Sequence, residues 1–271
     1  MKHEVIPVDE ERGSNAKLYT YILDNFEEID IHRTRPIVLI CPGGGYEFVS
    51  EREAEAVAIR FNAMGYHACV LYYSVAPAEF PQALCELAWS VAYLREHADE
   101  YAICQDKIIV AGFSAGGHLA ASLGVFWEEG WLNERTELTA QQIRPNGLIL
   151  SYPVITSGKY AHCGSFDNLM GTQKNPELKE LLSLEKHVGK QVPPTFIWHT
   201  LTDQSVPVQN SFLLAEALVR EQISLELHIF PEGMHGLSLS NEETMVRETG
   251  FGIQKRCQEW INLAGKWLGD L

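Results

Sequence analysis

Apolar residues in this chain gather into short, near-continuous runs. Between them lie longer stretches where apolar positions recur at helical spacing. Residues 18–23, 37–41, 68–73, 107–111, 147–152, 195–200 and 225–230 read as strands. The central runs are apolar at successive positions, the pattern of strands covered on both faces. Residues 51–64 read as a helix that stops at Gly65. Residues 82–97 put Leu84, Leu87, Ala88, Val91 and Leu94 on one helical face. Residues 208–220 and 253–268 carry similar patterns. Strands alternating with helices predict parallel β-α-β units, hence an α/β fold with a mostly parallel, doubly wound sheet and helices on both faces.

One region breaks the alternation. Residues 155–194 hold Gly158, Gly164 and Gly171, a short helical piece at 176–184, and Pro193-Pro194. Flanked by strands, the region is expected to be an insertion over the sheet edge, a lid or pocket wall, within one domain spanning residues 1–271. No repeat or low-complexity linker divides the chain.

Charge narrows the partners. With 21 basic and 36 acidic side chains the formal net charge is −15. Scattered acids of this excess repel phosphate backbones, so nucleic-acid binding is not expected. No run reaches the ~18 apolar residues of a membrane span. The start of the chain carries Glu4, Asp9, Glu10 and Glu11 and no apolar leader segment, so a cytoplasmic location is expected. Cys41, Cys69, Cys85, Cys104, Cys163 and Cys257 are dispersed, without C-x-x-C pairs. Reduced thiols in a reducing compartment are expected, with no metal site. The oligomeric state is not legible.

The chemistry concentrates in three places. Gly112-Phe113-Ser114-Ala115-Gly116 follows an apolar strand and precedes an Ala/Leu-rich helical stretch. That context fits a G-x-S-x-G turn, in which glycines let a strand reverse into a helix and thrust a serine hydroxyl outward. Pro42-Gly43-Gly44-Gly45-Tyr46 follows another strand. Such glycines suit a phosphate cradle or an oxyanion hole. No Lys-Ser/Thr follows and there is no G-x-G-x-x-G, so the amides of Gly44, Gly45 and Ala115 are the expected oxyanion donors. A serine needs a base, and the base an orienting acid. His235 sits in a glycine-bounded loop after the last predicted strand; Asp203 lies just past the preceding one. Asp167 and Glu232 are weaker candidates for the acid. His118, one turn after Ser114, is expected to pack or cap behind the elbow. His67, His97, His199 and His228 are expected to be structural.

These motifs together resemble the serine α/β-hydrolases, in the order Ser–Asp–His that the family uses. The glycine loop is similar to the HGGG loop of the esterase branch, with Pro42 in place of the histidine, and closer to acetyl-xylan-esterase-like carbohydrate esterases. Tyr73-Ser74-Val75-Ala76-Pro77-Ala78-Glu79-Phe80-Pro81 is similar to an N-Y-R-L-A-P-E…F-P stretch of related esterases, with Ser74 replacing the arginine. The resemblance implies a catalytic triad of Ser114, Asp203 and His235, no cofactor or metal, and cleavage of short acyl esters, acetyl groups on sugars included. Small-molecule or oligosaccharide esters are then the expected partners. Of the aromatics Tyr46, Phe48, Trp127, Trp131, Tyr152 and Trp198, Tyr46 is expected to reach the substrate. The alternatives are a peptidase or amidase of prolyl-oligopeptidase type and a ligand-binding protein on a hydrolase scaffold.

Overall fold

The computed structural model describes residues 1–10 and 13–271; Glu11 lies outside them. The strands are β1 (Val5–Pro7), β2 (Lys17–Tyr21), β3 (Arg35–Cys41), β4 (His67–Tyr72), β5 (Ile103–Phe113), β6 (Gly147–Ser151), β7 (Thr195–Thr200) and β8 (Leu225–Phe230). They form one sheet in the order β1-β2-β4-β3-β5-β6-β7-β8. From β4 to β8 neighbours run parallel; β1 and β2 are antiparallel additions at one edge.

Alternate residues of the central strands feed two cores. In β3, Ile37, Leu39 and Cys41 join one and Val38 and Ile40 the other. Both sets are fully buried, so β3 is apolar from Ile37 to Cys41. On the first face lie α2 (Gln82–Glu96), α4 (Ala115–Phe126) and α9 (Gln209–Arg220); on the second lie α1 (Glu55–Ala63) and α10 (Trp260–Asp270). This is the α/β-hydrolase fold, an eight-stranded mixed sheet between helical layers. Among the described residues no helix is long and apolar enough to cross a membrane.

Several elements differ from expectation. β1 adds an edge strand of three residues, too short to show in the pattern. β5 starts at Ile103, because Arg35 pairs with Ile103 before the register shifts. Short helices α3 (Ala98–Tyr101), α5 (Gly130–Thr136) and α6 (Ala140–Ile143) fill the connections around β5. The helix expected over 51–64 is a 3-10 turn at Glu51–Glu53 followed by α1. The helix expected over 253–268 begins as a 3-10 turn at Cys257–Glu259 and continues to Asp270. Residues 155–194 join β6 to β7 and contain α7 (Cys163–Met170) and α8 (Pro176–Leu181). All six cysteines are unpaired.

Candidate active site

The turn at Ser114 follows from steric exclusion. Ser114 links β5 to α4 with φ 53° and ψ −118°, a strained conformation for a residue with a side chain. Its tightness rests on glycine. A Cβ on Gly112 would lie 2.1 Å from the Gly116 carbonyl oxygen, and one on Gly116 would lie 2.1 Å from that of Cys41. The hydroxyl leaves the carboxyl end of β5 while the first turn of α4 points its free N–H groups toward the same place.

The structure brings Ser114, Asp203 and His235 into one hydrogen-bonded line. Ser114 Oγ lies 2.7 Å from His235 Nε2, and His235 Nδ1 lies 2.7 Å from Asp203 Oδ2. The carboxylate can only accept, so Nδ1 carries the proton and Nε2 is free to accept that of Ser114. Asp203 Oδ1 accepts the Ser205 and Val206 N–H groups, each at 2.9 Å. Burial pushes the Asp203 carboxyl up, but the bonds from His199 and His235 outweigh it and hold the group well below the ordinary carboxylate range. Asp167 pairs instead with Lys174 at 2.7 Å, and Glu232 is exposed, so neither is placed as the acid.

The glycine loop sits over Ser114. A Cβ on Gly43 would be 3.0 Å from Ser114 Cβ, so backbone approaches the serine as closely as it can. Gly44 and Gly45 have φ of 128° and 66°. Among the described hydrogen bonds, the amides of Gly44, Gly45 and Ala115 donate to no protein acceptor. Gly43 differs: its N–H donates to Glu53 Oε2 at 2.7 Å. A cleft of about 420 Å³ is lined by Gly44, Gly45, Ser114, His162, Ser205 and His235, with Phe48, Met234 and Phe251 at its apolar margin.

Tyr46 is a correction. Its side chain is 3% exposed and absent from the cleft lining. With φ at 56° the backbone turns the ring into the core, where its hydroxyl meets His118 Nδ1 at 2.9 Å. His118 in turn donates from Nε2 to the Leu182 carbonyl at 3.0 Å and so ties the insertion to the back of the elbow. Burial pushes its imidazole down to about 4. Of the six aromatics singled out from the sequence, Phe48 is the one that lines the cleft, 58% exposed; Trp127 and Trp198 are buried.

Two residues support the site in ways the sequence did not disclose: His199, expected only to be structural, and Glu53, which was not singled out. His199, on β7, is fully buried and donates from Nε2 to Asp203 Oδ2 at 3.2 Å and to the Val206 carbonyl at 3.0 Å. Glu53, 3% exposed, also accepts the Tyr152 hydroxyl at 2.6 Å. Tyr152 takes the Ser238 N–H at 2.8 Å and sets its ring against His235, centroids 5.0 Å apart. Glu53 thereby links the glycine loop to the loop bearing His235. Burial raises its carboxyl above the ordinary range, against the bonds from Tyr152 and Gly43 and the charges of His235 and Arg52.

Comparison with known proteins places this geometry among esterases. The BD-FAE family model matches residues 23–218. Endo-1,4-beta-xylanase B of Butyrivibrio fibrisolvens is 39% identical over 77% of the chain, which covers 33% of that protein. An acetylxylan esterase of Xylanibacter ruminicola is 27% identical over 85% of the chain and 44% of its own length. The chain thus spans a third to under a half of these two curated relatives. Solved structures match throughout. An acetyl ester-xyloside bifunctional hydrolase from Caldicellulosiruptor lactoaceticus superposes with a TM-score of 0.83 at 34% identity, over 98% of this chain and 96% of that one. A carboxylesterase from Lactobacillus plantarum WCFS1 gives a TM-score of 0.88 at 29% identity, over 100% and 98%.

Proposed function

The chain belongs to the BD-FAE family of α/β-hydrolase esterases, which are carboxylic ester hydrolases, and from that premise we propose that it cleaves short-chain acyl esters, chiefly acetyl esters on carbohydrates. The whole chain acts as one catalytic unit, with Ser114 as nucleophile, His235 as base and Asp203 as orienting acid. The observation that carries this reading is the Ser114–His235–Asp203 line, with two links of 2.7 Å, beneath three amides that have no protein acceptor.

The chemistry follows from those positions. His235 Nε2 takes the proton of Ser114 Oγ as that oxygen attacks the ester carbonyl. The amides of Gly44, Gly45 and Ala115 receive the developing oxyanion, and Asp203 stabilises the imidazolium. His235 then gives its proton to the departing alcohol, leaving an acyl-serine. Water, deprotonated by the same nitrogen, releases the acid. Glu53 engages the Gly43 amide and leaves its two successors free for the substrate. The acetylxylan esterase and the acetyl ester-xyloside hydrolase among the relatives support acetylated xylans as the substrate class.

A fluorophosphonate probe should label the wild type and leave Ser114→Ala unlabelled; equal labelling removes Ser114 as nucleophile. Rates on p-nitrophenyl esters of rising acyl length, acetylated xylo-oligosaccharides and aminoacyl amides then test the substrate. Preference for acyl chains beyond about four carbons, or turnover of amides alone, overturns the acetyl-esterase reading.

A further inference from the structure

Beside His235 the cleft is lined by a second histidine, for which the reaction above has no use. His162 lies at the start of α7 and lines the cleft beside Ser114, Ser205 and His235. Its Nδ1 accepts the Ser165 N–H at 3.3 Å, capping the helix, and lies 2.8 Å from Ser165 Oγ. A nitrogen that accepts a backbone N–H carries no proton, so in the neutral ring the proton sits on Nε2. Among the described residues Nε2 has no protein partner. Burial pushes the imidazole below the ordinary histidine range and the nearby His235 adds to this, against Asp203, so the ring is neutral at neutral pH. Asn168 Nδ2 donates to the Gly45 carbonyl at 2.9 Å, which fixes α7 against the glycine loop.

An acetyl ester offers few oxygens for this donor. The carbonyl oxygen goes to the three amides and the leaving oxygen to His235. The remaining methyl group has no acceptor. A donor that lines the cleft beside Ser114 and His235 therefore finds a partner only in the alcohol portion.

We propose that His162 is a specificity-determining residue: its Nε2–H donates to a hydroxyl or ring oxygen of the alcohol portion and selects acetyl esters of sugars over those of plain alkyl or aryl alcohols. The inference rests on the acetyl-ester reading above. A partly buried donor left unmatched by a plain alcohol loses its bond to water without replacement, which is the source of discrimination.

His162→Asn separates the two roles of the side chain, since asparagine is a good N-cap but cannot reach into the cleft as the ring does. The substitution should lower kcat/KM on an acetylated xylobiose by about tenfold. On p-nitrophenyl acetate kcat/KM should stay within about twofold, as should the rate of fluorophosphonate labelling. Equal losses on both substrates, or no loss on the sugar ester, overturn the proposal. If the asparagine chain does not fold, His162→Phe keeps the ring volume and should show the same selective loss. A wild type that cleaves p-nitrophenyl acetate but no acetylated sugar defeats the carbohydrate reading and this inference with it. A wild type that cleaves both, with an unchanged ratio in the variants, defeats the role of His162 alone.

Discussion

Replacing His199 with phenylalanine tests whether the Asp203 carboxylate is positioned from behind. Asp203 receives four donors: His235 and His199 at Oδ2, and the Ser205 and Val206 amides at Oδ1. Phenylalanine keeps an aromatic ring, somewhat larger than imidazole, but removes the Nε2–H. Asp203 then loses one of two donors at the oxygen that faces His235. The Val206 carbonyl loses the same donor at 3.0 Å, and Ser211 Oγ loses its partner at 2.8 Å. All three sites are buried. At about 1–3 kcal/mol for each group left unsatisfied, less what relaxation recovers, the stability loss should be about 3 kcal/mol. A domain of ordinary stability survives that loss. Urea denaturation reads it as a lower midpoint at unchanged slope.

The effect on turnover is smaller than loss of the carboxylate. Asp203 keeps its bond to His235 but gains freedom to rotate, so kcat on p-nitrophenyl acetate should fall about 10- to 30-fold, against about 10⁴-fold for removing the acid. KM should hardly move, because His199 does not line the cleft. The pH dependence gives a separate sign. The folded Asp203 carboxyl lies below its unfolded value, so it contributes stability above the unfolded pKa of about 3.9 and loses it as pH falls through the folded one. Without His199 the folded value rises toward the unfolded one, so the deficit of His199→Phe is full near pH 7 and narrows below about pH 4. An unchanged kcat with full stability, or a loss equal to that of Asp203→Asn, refutes the positioning role.

Other substitutions probe the surrounding frame. Tyr152→Phe strips the Ser238 N–H of its acceptor and Glu53 of a donor, and should cost about 2–4 kcal/mol in urea denaturation. Combined with Glu53→Gln it should show a coupling of about 0.5–3 kcal/mol; strict additivity would mean the 2.6 Å bond contributes nothing. Gly116→Ala places a methyl 2.1 Å from the Cys41 carbonyl oxygen and should abolish fluorophosphonate labelling, while Gly130→Ala, with open space around it, should retain it. In the folded protein iodoacetamide should modify Cys163, which is exposed, well before Cys85 and Cys257, whose thiols burial pushes up to about 11 and about 12, with Arg135 opposing at Cys85. Modification of all three at one rate, followed by mass spectrometry, would contradict the burial.

What the sequence disclosed and withheld follows from how each residue is surrounded. The strands β3 to β7 were legible because both faces of their central segments are covered, so apolar side chains run at successive positions, as in Ile37–Cys41 and Ile108–Ala111. β1 was not, because three residues ending in Pro7 leave no period to read. Ser114, Asp203 and His235 announce themselves through glycines and loop position, since each must leave the scaffold at a strand end. Their supports carry no such mark. His199 sits inside a buried strand, where local pattern cannot tell a filler from a donor. Glu53 stands between Arg52 and Ala54 in a charged stretch that reads as a solvated face, and only long-range pairing with Gly43 and Tyr152 makes it internal. Tyr46 misled for the converse reason: adjacency to the triple glycine suggested the cleft, but a positive φ reverses the direction of its side chain. The reacting groups are therefore local features of the chain. Their preorganisation is a property of contacts that the local pattern does not mark, and substitutions at His199 and Tyr152, which do not line the cleft, should damage catalysis without touching substrate.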